Sequence, residues 1–164
     1  MQHETPSQTA GPYVHIGLLP AAEGLRGIAS DFGAAEKTTG NMIDLTGRIL
    51  DGAGMPVTDA IVECWQPSSW QRVAADPDTG QFHIRTHAPE HLGQGEARHL
   101  AIWIVARGLN NGLLTRIYFD DMQTDPVLAA AGSRAATMIA KRTADGWHHE
   151  IHLQGPRETV FLQI

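Results

Sequence analysis

The stretch from His99 to Asp121, HLAIWIVARGLNNGLLTRIYFDD, leaves this chain few possible folds. Leu100 to Val105 is an unbroken apolar run rich in β-branched residues. A run that short is too brief for a helix core and fits a strand buried on both faces. Asn110-Asn111-Gly112 follows, a sequence suited to positive φ and hence to a tight reversal. Leu113 to Phe119 reads as the returning strand. The expectation is a central hairpin with Arg107 where its first strand runs out. No acid adjoins Arg107 in sequence, so residue spacing alone makes it a solvated strand-end arginine.

Other segments extend this β pattern. Met42 to Leu50 alternates, with Ile43, Leu45 and Ile49 on one side and Asp44, Thr46 and Arg48 on the other. Val57 to Trp65 reads as a strand closed by Pro67. Asp76-Pro77-Asp78-Thr79-Gly80 is a turn cluster, and alternation resumes over Gly80 to Thr86. Residues 87–98 read as a polar loop. Trp147 to Leu153 and Thr159 to Gln163 complete a set of about seven strands. Thr124-Asp125-Pro126 is the one good helix start, with a capping side chain and proline at the first helical position. It predicts a short helix over 127–130, broken near Gly132, and a second over 135–140. Many short strands and little helix predict an all-β sandwich or small barrel.

Residues 1–17, MQHETPSQTAGPYVHIG, do not fit that scheme. Pro6, Gly11 and Pro12 exclude a helix interior or central strand at those positions. Tyr13, Val14 and Ile16 are out of place in a disordered tail. The segment reads as an extended arm that packs on something. Residues 18–41, with Gly24, Gly27, Gly33 and Gly40, have no period and read as a loop.

The 164 residues suit one domain with a real core, and a net charge of −6 argues against a nucleic-acid partner. The single cysteine, Cys64, cannot form an internal disulfide and lies in an apolar run, so it reads as a buried, inert thiol. No stretch has the ~20 apolar residues of a membrane span, and the N-terminus has no signal-like pattern; a cytoplasmic location is expected.

Nine histidines raise the question of a metal. His148, Glu150 and His152 would share one strand face, but the two histidines then lie roughly 13 Å apart, too far to hold one ion between them. A solvated strand face is the simpler account. A His-x-His pair on a strand would offer a bite of about 6.6 Å. At His99 that pair is broken, because the second position is Ala101. His87 and His91 sit in a loop. No serine occupies a nucleophile elbow and no glycine-rich loop opens a helix.

Four segments carry a resemblance: ETPSQTAGPYVHIGL, TGRILDGAGMPVTDAIVECWQP, ARGLNNGLLTRIYFDD and GPRETVFLQI. Together they resemble the α chains of the protocatechuate 3,4-dioxygenases, intradiol ring-cleavage enzymes built from homologous α and β chains. The resemblance runs from Glu4 to Ile164 and is weakest over 20–41. It implies an all-β, intradiol dioxygenase-type sandwich over 18–164, with 1–17 as an arm packed on the partner chain and one or two short helices. It implies that Fe(III) is held by the β chain, through two tyrosines and a His-x-His pair, and that the α chain has lost this set. His99-Leu100-Ala101 stands where that pair would be, and neither Tyr13 nor Tyr118 is placed as a ligand. It further implies a substrate pocket shared across an α–β hetero-oligomer that converts protocatechuate and O2 to 3-carboxy-cis,cis-muconate. The α-chain contributions carried over by motif are Thr9, Gly11, Pro12 and Tyr13 in the arm, and Arg107. Residues 20–43 and 65–80 are shorter than the resemblance leads one to expect. Two other readings compete: a standalone iron-free sandwich that binds an aromatic acid or a protein, and a self-contained metalloenzyme using some of the histidines. The rigid arm favours an interface over the first.

Overall fold

The computed structural model describes residues 8–25, 40–67, 69–93, 95–119 and 124–163. Arm residues 1–7, most of the expected loop over 26–39, and Asp120 and Asp121 of the hairpin motif lie outside them. Among the described residues the order is α1 (Val14–Leu18), β1 (Met42–Leu50), β2 (Ile61–Gln66), β3 (Ser69–Ala74), β4 (Gln81–His87), β5 (His99–Val105) and β6 (Leu113–Tyr118). Then come α2 (Pro126–Ala131), a 3₁₀ helix (Gly132–Met138), β7 (Lys141–Arg142) and β8 (Trp147–His152). The strands form two sheets, β4-β1-β8-β7 and β3-β2-β5-β6.

The expected alternation decides which side chains meet between the sheets. In the first sheet Leu45, Ile49, Phe82, Ile84 and Ile151 are buried, while Arg48, His83 and Arg85 on the opposite side of their strands are exposed. Gly47 lies opposite Phe82 and His149. A Cβ there would stand 2.5 Å from the Phe82 ring and 2.2 Å from the His149 carbonyl, so only glycine fits. From the second sheet Val62, Cys64, Leu100, Ile102, Ile104 and Ile117 join the same core. Burial pushes the Cys64 thiol up to about 12, so it stays protonated and inert. Phe119, just past β6, meets Trp147 of the other sheet edge to face, with centroids 4.9 Å apart.

Several expectations change. The arm is not extended throughout. Pro12 fixes the chain just before α1, and the Val14 amide donates to the Gly11 carbonyl at 3.1 Å to start the turn. Residues 57–60 precede β2 rather than belonging to it. The hairpin reversal is not tight at Asn110–Gly112. A turn forms earlier, with the Leu109 amide donating to the Ala106 carbonyl at 3.2 Å and the positive φ, 87°, at Gly108. Gly112 is required for another reason: a Cβ there would lie 2.1 Å from the Trp103 indole nitrogen. Residues 159–163 do not form a strand; they make one bridge, Leu114 to Leu162. Strands β3 and β7 were not expected at all.

Asp125 does cap α2, accepting from the Val127 and Leu128 amides at 2.9 and 3.0 Å. The carboxylate is fully buried and also accepts from the Ala97 amide and the Tyr118 hydroxyl. Burial alone would raise its pKa; the donors outweigh burial and hold it below the usual carboxylate range.

Candidate functional site

Two places matter: the His99-Leu100-Ala101 position, where the resemblance leads one to look for a His-x-His pair, and where the arm meets the hairpin. Both involve the second sheet. Register sets its outer face, with Arg72, Glu63, Trp103 and Leu114 in one row across the strands. Trp70, Trp65, Ala101 and Arg116 form the next row, and His99 and Tyr118 pair beyond it.

His99 is buried and its ring lies against Tyr118, centroids 5.3 Å apart. Its Nδ1 is 2.9 Å from the Ala97 carbonyl, so that nitrogen carries the proton. Burial lowers the His99 pKa, the Ala97 bond opposes that, and the Arg116 charge adds to it. The Tyr118 hydroxyl donates to Asp125 at 3.1 Å and accepts from Arg116 Nη1 at 3.3 Å. Burial pushes that phenol up to about 12. The second imidazole position is Ala101, on the rim of a shallow, mostly apolar depression of about 390 Å³ with Glu63, Trp65, Trp103 and Leu114. This donor set does not fit ferric iron. It offers one imidazole, a phenol committed to Asp125, and the permanent Arg116 charge 3.3 Å from that phenol, which repels a trivalent cation. Among the described residues no group of three or more His, Cys, Asp or Glu side chains is arranged to hold a metal ion.

Several other histidines have partners of their own. His148 Nδ1 lies 3.3 Å from Thr46 Oγ1, and His91 Nδ1 lies 2.9 Å from the Glu96 carbonyl. His152 is buried, with Nε2 3.6 Å from Glu150. The expected solvated face over 148–152 is therefore wrong at its last residue. The Thr159 hydroxyl accepts from the His152 amide, and the following segment covers the strand end.

The arm meets the hairpin at the Ala106–Leu109 turn. Arg107 and Gly108 are its two central residues, and a positive φ at the second is the mark of a turn that needs glycine there. The Gly108 amide donates to Thr9 Oγ1 at 2.7 Å, a contact between residues 99 positions apart. Thr9 and Arg107, singled out separately in the sequence, thus become neighbours. Gly11, Pro12 and Tyr13 continue from Thr9 on the surface, with Tyr13 75% exposed. Arg107 is exposed, but it is not without an acid: its Nε donates to Asp59 Oδ2. Asp59 lies 48 residues away, beyond the reach of local spacing. The signal that could have located the turn was Gly108, directly after a strand-end arginine.

No family model matches the chain. The protocatechuate 3,4-dioxygenase alpha chain of Burkholderia cepacia is 33% identical to it, over 98% of both chains. That of Pseudomonas putida is 37% identical, over 98% of this chain and 96% of its own. The first alignment runs over 192 positions against 164 residues here, so the relative carries residues with no counterpart in this chain. Among solved structures, the dioxygenase domain of a dioxygenase and carbohydrate-binding protein fusion from Streptomyces sp. SirexAA-E shares the fold. Its TM-score is 0.54 at 19% identity, covering 92% of this chain and 96% of its own. The sandwich and these relatives agree: the chain belongs to the protocatechuate 3,4-dioxygenase alpha chains, within the intradiol ring-cleaving dioxygenases.

Proposed function

We propose that this chain is the iron-free half of a shared active site. A homologous β chain holds the Fe(III), and this chain completes the pocket in which protocatechuate meets O2. The two form an α–β hetero-oligomer, placed in the cytoplasm, in which this chain has no activity alone. In this reading residues 1–17 are the arm that packs on the partner and 18–164 the sandwich domain. Thr9, Gly11, Pro12, Tyr13 and Arg107 face the substrate.

The observation that carries the reading is the bond from the Gly108 amide to Thr9 Oγ1, which brings the arm and the arginine turn together. Gly11 has nothing within 4 Å of where a Cβ would be, so the arm presents open backbone there. Pro12 stiffens it with little conformational entropy left to lose. Arg107 supplies a permanent positive charge suited to an anionic aromatic acid. Its link to Asp59 leaves the guanidinium exposed and oriented. The iron chemistry belongs to the partner's metal; what this chain supplies is binding, orientation and exclusion of water.

The test is kinetics on the co-expressed pair. Arg107→Ala should lower kcat/KM about ten- to a hundredfold, the value of a lost charge-assisted hydrogen bond of about 1.5–3 kcal/mol, while assembly and iron content stay normal. Arg107→Lys should restore only part, because the planar fork is gone. Deleting residues 1–16 should weaken assembly and activity together. Efficiency within twofold of wild type for Arg107→Ala, at full iron loading, would remove the arginine from the pocket.

A further inference from the structure

We infer that Arg72 is a positioning residue that fastens the far end of the arm, so that Gly11 to Tyr13 are held between two clamps within this chain. The near clamp is Thr9 on Gly108. The far one is on the outer face of the second sheet. Arg72 lies directly across from Glu63. Its Nε donates to Glu63 Oε1 at 2.7 Å, and Nη2 reaches the same oxygen at 2.6 Å. The other carboxylate oxygen takes the Trp65 indole N–H at 2.9 Å. The Trp70 ring lies 4.9 Å from the guanidinium carbon, and Trp65 packs on Trp70 at 5.4 Å.

A guanidinium held this firmly still has donors to spare, because its five N–H groups form a fixed fork with two usable edges. Nη1 points away from Glu63 and donates to the Leu18 carbonyl at 3.1 Å, 54 residues back in the chain. Leu18 is the last residue of α1. Carbonyls there have no partner within a helix, and a cation suits that end. The arm is therefore tied at residue 9 and, just past its end, at residue 18. Between the ties it is presented rather than packed, with Tyr13 75% and Ile16 43% exposed. A segment ordered in advance loses less entropy when it becomes part of an interface. That Gly11 to Tyr13 face substrate rests on the function proposed above; that Arg72 holds them does not.

The experiment uses the co-expressed α–β complex and two variants. One is the pair Glu63→Leu with Arg72→Met, which replaces the ion pair by apolar groups and so keeps the sheet. The other is Arg72→Lys, which keeps the charge beside Glu63 but has no second edge for Leu18. Hydrogen exchange is followed at the amides of Val14, Gly17 and Leu19, with KM and kcat measured in parallel. In both variants arm exchange should rise at least tenfold with β5 amides unchanged, and KM should rise about fivefold with kcat within twofold. Faster arm exchange with KM unchanged keeps the clamp and overturns the shared-pocket reading instead. Arm exchange less than tenfold above wild type in both variants overturns the clamp.

Discussion

The two outer faces of the sandwich carry the same kind of ion pair to different ends. On the second sheet, Glu63 and Arg72 lie directly across from each other, and their side chains are 8% and 15% exposed. On the first sheet, Asp44 and Arg85 also lie directly across from each other, 3.9 Å apart, with exposures of 33% and 63%. His83 adds a 2.7 Å contact to Asp44 and is itself exposed. Both pairs stand outside the core on amphipathic strands. What differs is the cover. Trp65, Trp70 and the arm surround one pair, and solvent surrounds the other. A strand's sequence places an ion pair on a face; whatever lies over that face sets its energy.

That contrast can be broken by removing the arginine of the covered pair. Arg72→Ala strands a carboxylate with little water around it, which costs about 3–4 kcal/mol. Chemical denaturation should show it, and a loss below 1 kcal/mol would mean the two faces are alike. The first sheet's inward side sharpens the picture next. His149 is buried there, with Nδ1 3.3 Å from the Ile139 carbonyl. Burial lowers its pKa from 6.5 to about 4. The unfolded chain then binds this proton first, so stability falls as pH drops through 6.5 and levels off below 4. The His149 share of the loss over that window should be about 3 kcal/mol, and His149→Gln should remove that share. Denaturation midpoints across pH 7 to 4 provide the check.

Smaller effects follow at Gly112 and Asp44. Gly112→Ala drives a methyl group into the Trp103 indole and should cost about 2 kcal/mol, read as a lower melting temperature. Asp44→Ala breaks the exposed pair on the first sheet and should cost less than about 1 kcal/mol. Measured beside Arg72→Ala, it gives the ratio between a covered and an open ion pair.

By itself the sequence determined which strands face the core wherever polar and apolar residues alternate cleanly. β1 has the bounds its alternation predicts, and the apolar run from Leu100 lies within β5. Thr124-Asp125-Pro126 marked the helix start, and the arm and hairpin motifs carried the family. The sequence did not reveal β3, for a physical reason. Its outward residues include Trp70, while Gln71 points inward, so the binary pattern is blurred. It overstated 159–163, where alternation is present but the chain makes one bridge and otherwise covers His152. Nor could it supply Asp59 for Arg107, Gly108 for Thr9, or Leu18 for Arg72. Those pairs join residues 48, 99 and 54 positions apart. Periodicity is local and reports the facing of one strand. What covers a face, and which distant donor meets an acceptor, depends on how two sheets and an arm pack, and only the tertiary structure decided that.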